Sequence, residues 1–224
     1  MALILNLETA TKTCSVALAK DGELLSCKEL ASDNYSHAEK LNGFIVEVLA
    51  ESSIDIKDLD AVAVSAGPGS YTGLRIGTST AKGLCYGLDI PLISINSLKA
   101  LANQADVRDG LICPMFDARR MEVYTALYAT NLTEIQATNA LVVESENLKG
   151  FLGKQITFIG PGAEKCQEMF GSDEHSFKLD IEVSAKGMIS LSEDKFKEGN
   201  FEDVAYFEPA YLKDFVAGPP KKLL

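Results

Sequence analysis

The segment from Gly67 to Gly73, with the sequence Gly-Pro-Gly-Ser-Tyr-Thr-Gly, is the part of this chain best suited to binding an anion. Its glycines would let backbone N–H groups approach a phosphate, and the N-terminus of a following helix favours negative charge. The segment lacks the lysine followed by serine or threonine of a P-loop, and it does not match the dinucleotide-binding fingerprint. The same glycines also suit a plain turn between a strand and a helix. We favour the turn because the other phosphate ligands are missing.

Arginines provide the second kind of candidate chemistry. Arg75, in the predicted helix after this segment, could reach a phosphate or a partner's carboxylate, or it could form an internal salt bridge. Arg119 and Arg120 lie at a predicted hairpin tip, where paired guanidiniums can bind a carboxylate or a phosphate. Structural ion pairing with Asp117 or Glu122 would explain these two arginines as well, and we favour it.

Catalytic groups are not evident in the sequence. The two histidines, His37 and His175, are far apart, and the five cysteines are widely spaced without a Cys-x-x-Cys motif, so a zinc site is not indicated. The serine at position 70 occupies the wrong place for a nucleophile elbow. We therefore predict no catalytic residue and no metal ligand. The odd number of cysteines indicates reduced thiols and a cytoplasmic location.

The charge of the chain argues against independent binding to nucleic acid. The formal net charge is −11, and no large cluster of lysine and arginine stands out. Proteins that hold nucleic acid phosphates by themselves usually carry a basic patch. No apolar run approaches the roughly 18 residues of a membrane span, so we expect no membrane partner.

The elements that must position these residues follow from hydrophobic periodicity. Three strands joined by a hairpin at Asp21-Gly22 come first, and the Asp-Gly pair suits a tight turn. A helix follows, with a capping-box signature formed by Ser36 and Glu39. Its apolar stripe has helical spacing and consists of Leu41, Phe44, Ile45, Val48 and Leu49. Alternating strands and helices continue to about residue 104.

The resulting order β-β-β-α-β-α-β-α is that of a half-domain of the actin/Hsp70/sugar-kinase superfamily. We therefore predict an α/β protein with two lobes of this type, each a mixed sheet with flanking helices. The first lobe should cover residues 1–97 and the second, smaller lobe residues 98–190. The segment 191–224 is expected to pack back on the first lobe.

Several segments together resemble one family, TsaB, also called YeaZ. They are the opening strand pair over residues 3–18, the stretch 67–77, the hairpin 116–124 and the C-terminal stretch 208–212. The resemblance implies a partner subunit in the bacterial synthesis of threonylcarbamoyladenosine on tRNA. In that pathway the related TsaD carries the transfer chemistry.

The resemblance further implies a non-catalytic subunit that binds and activates a TsaD-like paralogue. The modified position would be residue 37 of tRNAs that decode ANN codons. A TsaE-like ATPase would join the assembly, and tRNA would be bound indirectly, through the complex. No cofactor is expected, and ATP or ADP would bind only at a subunit junction. Alone, the chain would bury the same apolar helix face in a homodimer.

The resemblance implies that the first two helices form the partner interface. The candidates are His37, Leu41, Phe44, Val48, Tyr71, Thr72, Gly73, Ile76, Gly77 and Thr80. Glycines at four-residue spacing on the second helix indicate that another backbone comes close, either from the chain's own sheet or from a partner. The candidates for a nucleotide or phosphate contact are Glu8, Thr9, Gly69, Ser70 and Arg75.

Two other functions stay open. An ATP-dependent small-molecule kinase of the same fold would need an acidic residue in or just after the first strand, and Glu8 is the one on offer because Asn6 is uncharged. It would also need a glycine-rich adenosine motif in the second lobe, which we do not recognise. A peptidase would need metal ligands or a nucleophile with its base, and neither is evident.

Overall fold

The computed structural model describes residues 2–32, 36–144, 155–170 and 175–213. Within these residues the chain forms two five-stranded sheets. The strands are β1 Leu3–Glu8, β2 Thr13–Lys20, β3 Glu23–Ala31, β4 Ala61–Ser65, β5 Leu92–Ile95, β6 Leu111–Asp117, β7 Glu122–Ala129, β8 Glu134–Val142, β9 Ile156–Ile159 and β10 His175–Lys178. The helices are α1 His37–Glu51, α2 Tyr71–Leu88, α3 Ser97–Gln104, α4 Glu164–Phe170 and α5 Ile189–Glu198.

The first sheet has the order β3-β2-β1-β4-β5. Strands β1, β2 and β3 are antiparallel neighbours, whereas β4 and β5 run parallel to β1. Asp21 and Gly22 form the predicted hairpin turn, with φ values of +54° and +80°. The predicted element order of this half of the chain is confirmed.

Both faces of the first sheet are buried, as mixed sheets with helices on each side require. Successive residues of a strand point to opposite faces. Leu3, Leu5 and Leu7 of β1 therefore join a cluster with α1 and α2, whereas Ile4 joins a second cluster with α3 and the start of α5.

The second sheet has the order β10-β9-β6-β7-β8. One face packs against α4 through Cys113, Phe158 and Cys166, among others. The other face contributes Phe116 and Tyr128 to the cluster that also contains Ile4 and α3. The largest cluster is thus shared by the two sheets, and α3 lies between them.

The segment after β10 returns to the first sheet. A short 3-10 turn, Ala185–Met188, leads into α5, and the hydroxyl of Ser192 donates to Asn6 Oδ1 at 2.7 Å. Glu202 forms a β-bridge with Leu92, and the Ala210 N–H donates to the Ala66 carbonyl at 2.8 Å. The exact lobe boundaries at residues 97 and 190 stay predictions, and residues 214–224 lie outside the described part of the chain.

One local prediction was wrong. The capping box of α1 does not form, because Ser36 has φ −110° and ψ 12° instead of an extended backbone, and its side chain makes no cap hydrogen bond. Ser184, in contrast, caps the 3-10 turn, because its hydroxyl accepts from the Lys186 N–H at 3.2 Å.

No helix in the described ranges is long and apolar enough to cross a membrane.

Candidate functional site at the start of the second helix

The glycine-rich segment forms the turn from β4 into α2. Gly67 has φ +96°, which glycine adopts without strain, and Ser70 caps α2 by accepting from the Gly73 N–H at 3.2 Å. The Ser70 N–H donates to the Ala10 carbonyl at 2.6 Å. The turn between β1 and β2 therefore satisfies the N–H of the residue that caps α2, and that residue satisfies the Gly73 N–H.

The spacing of the glycines on α2 is explained by this same turn. A Cβ added at Gly69 would lie 2.3 Å from the Ala10 carbonyl oxygen, and one at Gly73 would lie 2.1 Å from the Thr9 carbonyl oxygen. At Gly77 it would lie 2.3 Å from Thr9 Oγ1. The backbone that comes close belongs to the chain's own first sheet. No partner is needed to explain these three glycines.

Glu8 lies beneath this contact and is fully buried. Its Oε1 accepts from the Ala10 N–H at 2.6 Å. Burial raises the pKa of Glu8 to about 7, although hydrogen bonds from Ala10, Ser65 and Thr9 act in the opposite direction. Thr9 and Ala10 thus pack closely against Gly73 and Gly69, and Glu8 is hydrogen-bonded to Ala10. A nucleotide or phosphate contact by Glu8, Thr9 and Gly69 stays a prediction.

Half of the predicted interface residues lie inside the molecule, which corrects their assignment to an exposed face. The buried ones are His37, Leu41, Val48, Gly73 and Gly77. The apolar stripe of α1 faces the chain's own sheet, as the buried side of a surface helix does. His37 Nε2 lies 2.8 Å from the Thr11 carbonyl oxygen, and burial lowers the pKa of His37.

The other predicted interface residues reach the surface. Thr72 is exposed, and Phe44, Tyr71, Ile76 and Thr80 are half-buried. Whether a partner binds them stays a prediction.

Sequence reasoning missed the most exposed apolar side chains of these helices. Val46 on α1 is 66% exposed and Tyr86 on α2 is 86% exposed. Gly43, Gly83 and Gly87 have nothing within 4 Å of an added Cβ. These positions lie outside the apolar stripe of their helix. An apolar side chain outside the stripe does not face the core, and this spacing could have identified the exposed positions from the sequence.

A groove of about 680 Å³ runs beside the exposed part of α2. It is lined by Lys82, Gly83, Tyr86, Asp203, Val204 and Ala205. Lys82 Nζ donates to the carbonyls of Ala205 at 3.0 Å and Phe207 at 3.2 Å, which holds the C-terminal segment against α2.

Arg75 stacks on an aromatic ring instead of forming the internal salt bridge that was one expectation. Its guanidinium carbon lies 4.4 Å from the centre of the Tyr71 ring. The Tyr71 ring in turn contacts Tyr211, with ring centres 4.8 Å apart. The start of α2 is therefore joined to the C-terminal segment through these two rings.

The predicted ion pairing of the hairpin arginines is wrong, because lysines from elsewhere take both carboxylates. Lys165 pairs with Asp117 at 2.7 Å, and Lys213 pairs with Glu122. Arg119 and Arg120 are exposed, with φ values of +67° and +50°, and neither guanidinium has an ion-pair partner among the described residues.

The two histidines lie on different elements, one on a helix beside the first sheet and one on a strand of the second sheet. His37 begins α1, and His175 begins β10, where its ring contacts Phe158 edge-on at 5.4 Å. In the described ranges, no group of three or more His, Cys, Asp or Glu side chains is arranged to hold a metal ion.

Comparison with known proteins adds to this geometry. The family model described as TsaD, tRNA N6-adenosine threonylcarbamoyltransferase, matches residues 29–217. The tRNA threonylcarbamoyladenosine biosynthesis protein TsaB of Escherichia coli is 32% identical, and the match covers 96% of each chain. The protein of the same name from Bacillus subtilis is 38% identical, over 94% of this chain and 93% of the relative.

Solved structures show the same architecture. YeaZ from Pseudomonas aeruginosa has a TM-score of 0.83 at 24% identity, covering 95% of this chain and 100% of that one. The activator of the 2-hydroxyisocaproyl-CoA dehydratase from Clostridium difficile, solved with bound ADPNP, has a TM-score of 0.53 at 10% identity, covering 88% and 96%. These neighbours confirm the predicted α/β fold of the actin/Hsp70/sugar-kinase type.

Proposed function

Because the chain belongs to the TsaB family, we propose that it is a non-catalytic subunit in the synthesis of threonylcarbamoyladenosine on tRNA. In this proposal it binds and activates a TsaD-like paralogue, which modifies position 37 of tRNAs that decode ANN codons. A TsaE-like ATPase completes the assembly in the cytoplasm. The family names of the relatives support the pathway, and the geometry of the chain supports the role within it.

The observation that carries the non-catalytic role is the closed contact between the β1–β2 turn and α2. A phosphate there would need the space that Thr9 and Ala10 occupy against Gly69 and Gly73. It would also meet the carbonyl oxygens of that turn, which are hydrogen-bond acceptors and repel phosphate oxygens. This packing supports a chain without a cofactor of its own. ATP or ADP would bind at most at a subunit junction.

The outward sides of α1 and α2 are the surface that fits the TsaD-like partner. They carry the exposed Val46 and Tyr86 and the half-buried Phe44 and Ile76. Gly83 and Gly87 leave the α2 backbone uncovered, so a helix of the partner can approach closely. Without the partner, two copies of this chain would cover the same surface by forming a homodimer.

The test is threonylcarbamoyl transfer to tRNA by the TsaD-like protein, with the remaining pathway components, with and without this chain. We expect activity only with the chain present, and loss of activity with Gly83→Arg. Arginine is a better helix former than glycine by about 1 kcal/mol, so this variant should fold while blocking the approach of a partner helix.

Matched controls separate docking from folding. Ile135→Glu places a charge at an exposed apolar position of β8 on the second sheet, where Ile135 is 53% exposed, and should leave transfer unchanged. Full transfer activity without the chain would contradict the proposal. In that case, phosphorylation of small molecules by the chain with ATP would be assayed, since the kinase alternative predicts it.

A further inference from the structure

A row of two cations and three tyrosine rings crosses the surface from α2 to the second sheet. Arg75 lies over Tyr71, and Tyr71 contacts Tyr211. Two residues further, Lys213 Nζ lies 5.7 Å from the centre of the Tyr124 ring on β7. We call these five residues, together with the hairpin tip 117–122 and the Lys165 that pairs with Asp117, the cationic strip. The C-terminal segment joins its two ends.

The hairpin tip adds two arginines that have no ion-pair partner in the part of the chain that the structure describes. Lys165 and Lys213 occupy Asp117 and Glu122, so these carboxylates do not hold Arg119 and Arg120. Both arginines adopt the left-handed backbone, where a residue with a side chain is uncommon and each instance costs about 1 kcal/mol or more. The turn would be more stable with asparagine and glycine. The chain therefore places two arginines at positions where the backbone conformation disfavours residues with side chains.

The strip differs in charge from the rest of the molecule. Its cations are Arg75, Arg119 and Arg120, with Lys165 and Lys213 beside the two carboxylates Asp117 and Glu122. Five positive and two negative charges leave three positive charges, in a chain whose net charge is −11. Such local concentration against a strongly acidic background is what directs a polyanion to one surface.

We propose that the cationic strip binds the phosphodiester backbone of the tRNA, so that this chain contacts RNA directly within the assembly. The inference rests on the proposed function, which supplies the RNA. The Tyr71 ring holds Arg75 in place, which reduces the entropy lost when this cation meets a phosphate. The cations come from α2, the C-terminal segment and the β6–β7 hairpin, an arrangement that suits an extended chain of phosphates better than one nucleotide. The net charge of −11 keeps this contact weak outside the assembly.

The experiment measures the affinity of the full assembly for a tRNA transcript as a function of salt concentration. Each phosphate contact contributes about one unit to the slope of log affinity against log salt. The double variant Arg119→Ala/Arg120→Ala should therefore lower the magnitude of this slope by about 2 and weaken binding for all tRNA sequences alike. The charge-matched control Lys57→Ala/Arg108→Ala removes two exposed cations elsewhere and should keep the wild-type slope.

Further variants distinguish a failure of the RNA-binding inference from a failure of the proposed function. Arg119→Lys/Arg120→Lys retains the charges and should restore the slope, and co-purification with the TsaD-like protein should be unchanged in every variant. If the alanine variant assembles normally and keeps the wild-type slope, the strip does not bind RNA, whereas the proposed function stands. The inference is also overturned if the alanine variant lowers binding of ATP and not of tRNA. Failure of the wild-type chain to join the assembly would instead remove the proposed function.

Discussion

Burial sets the proton affinity of Glu8, the carboxyl at the end of β1. An unfolded chain would ionise this group near its ordinary value of 4.5, but desolvation raises the pKa of Glu8 to about 7 in the folded protein. Between these two values the folded state binds more protons than the unfolded state. The free energy of unfolding therefore falls as pH rises through this window and levels off above it.

We predict that Glu8→Gln abolishes this pH dependence. The amide carries no charge, so at pH 8 the variant should be more stable than the wild type, by an amount on the order of 3 kcal/mol for a shift of this size. Urea unfolding at pH values from 4.5 to 8.5 measures it. Glu39→Gln, an exposed position on α1, is the control and should follow the wild-type profile. Superimposable profiles for Glu8→Gln and wild type would show that the carboxyl is not desolvated.

The glycines of α2 fall into two classes, those with no room for an added Cβ and those with open space around it. At Gly73 the added Cβ would lie 2.1 Å from the Thr9 carbonyl oxygen, and at Gly83 it would meet nothing within 4 Å. Gly73→Ala should destabilise the fold by about 1–3 kcal/mol through overpacking, whereas Gly83→Ala should stabilise it by up to about 1 kcal/mol through helix propensity. Thermal unfolding of the two variants checks this. Equal effects at both positions would contradict the close contact with the β1–β2 turn.

At the scale of elements, α1 shows what an apolar periodicity predicts and what it does not. The stripe from Leu41 to Leu49 correctly predicts a helix, and the sheet buries that stripe. Leu41 and Val48 were assigned to a partner face, but the chain's own sheet buries them. An apolar stripe shows which side of a helix is buried, and it does not show whether the same chain or a partner covers that side. Val46, on the opposite side, is the large apolar residue of α1 that is exposed and available to a partner.

The outer sides of α1 and α2 lead to a prediction about self-association. Val46→Glu places a charge at a position that is 66% exposed in the single chain and would be buried in a homodimer. Such a charge has no partner in an apolar contact, so the dimer should dissociate at least tenfold more readily. Sedimentation analysis over a range of concentrations measures this, with Ile135→Glu as the control. A dimer that tolerates Val46→Glu would have to use another surface.

Across the whole molecule, the sequence was most informative where contacts are local. The Asp21-Gly22 hairpin and the order of the elements in the first half of the chain could be predicted because turn residues and strand periodicity act over short distances. The closed contact of Gly69 with Ala10 and the pairing of Lys213 with Glu122 could not, because they join residues that are remote in sequence. The ion pairs expected for Arg119 and Arg120 failed for the same reason: lysines that fold back from later in the chain took their acids.

The late return of the chain to its first sheet sets a limit on when this protein can complete its fold during synthesis. Ile4, Ala17 and Ala63 of the first sheet share a core cluster with Val183, Met188 and Ile189, which are synthesised much later. Until then, part of one side of the sheet is uncovered, and exposed apolar surface of this kind attracts chaperones and other nascent chains. The first sheet should therefore reach its full stability only after residues 183–189 have been made, even though all five of its strands lie before residue 96.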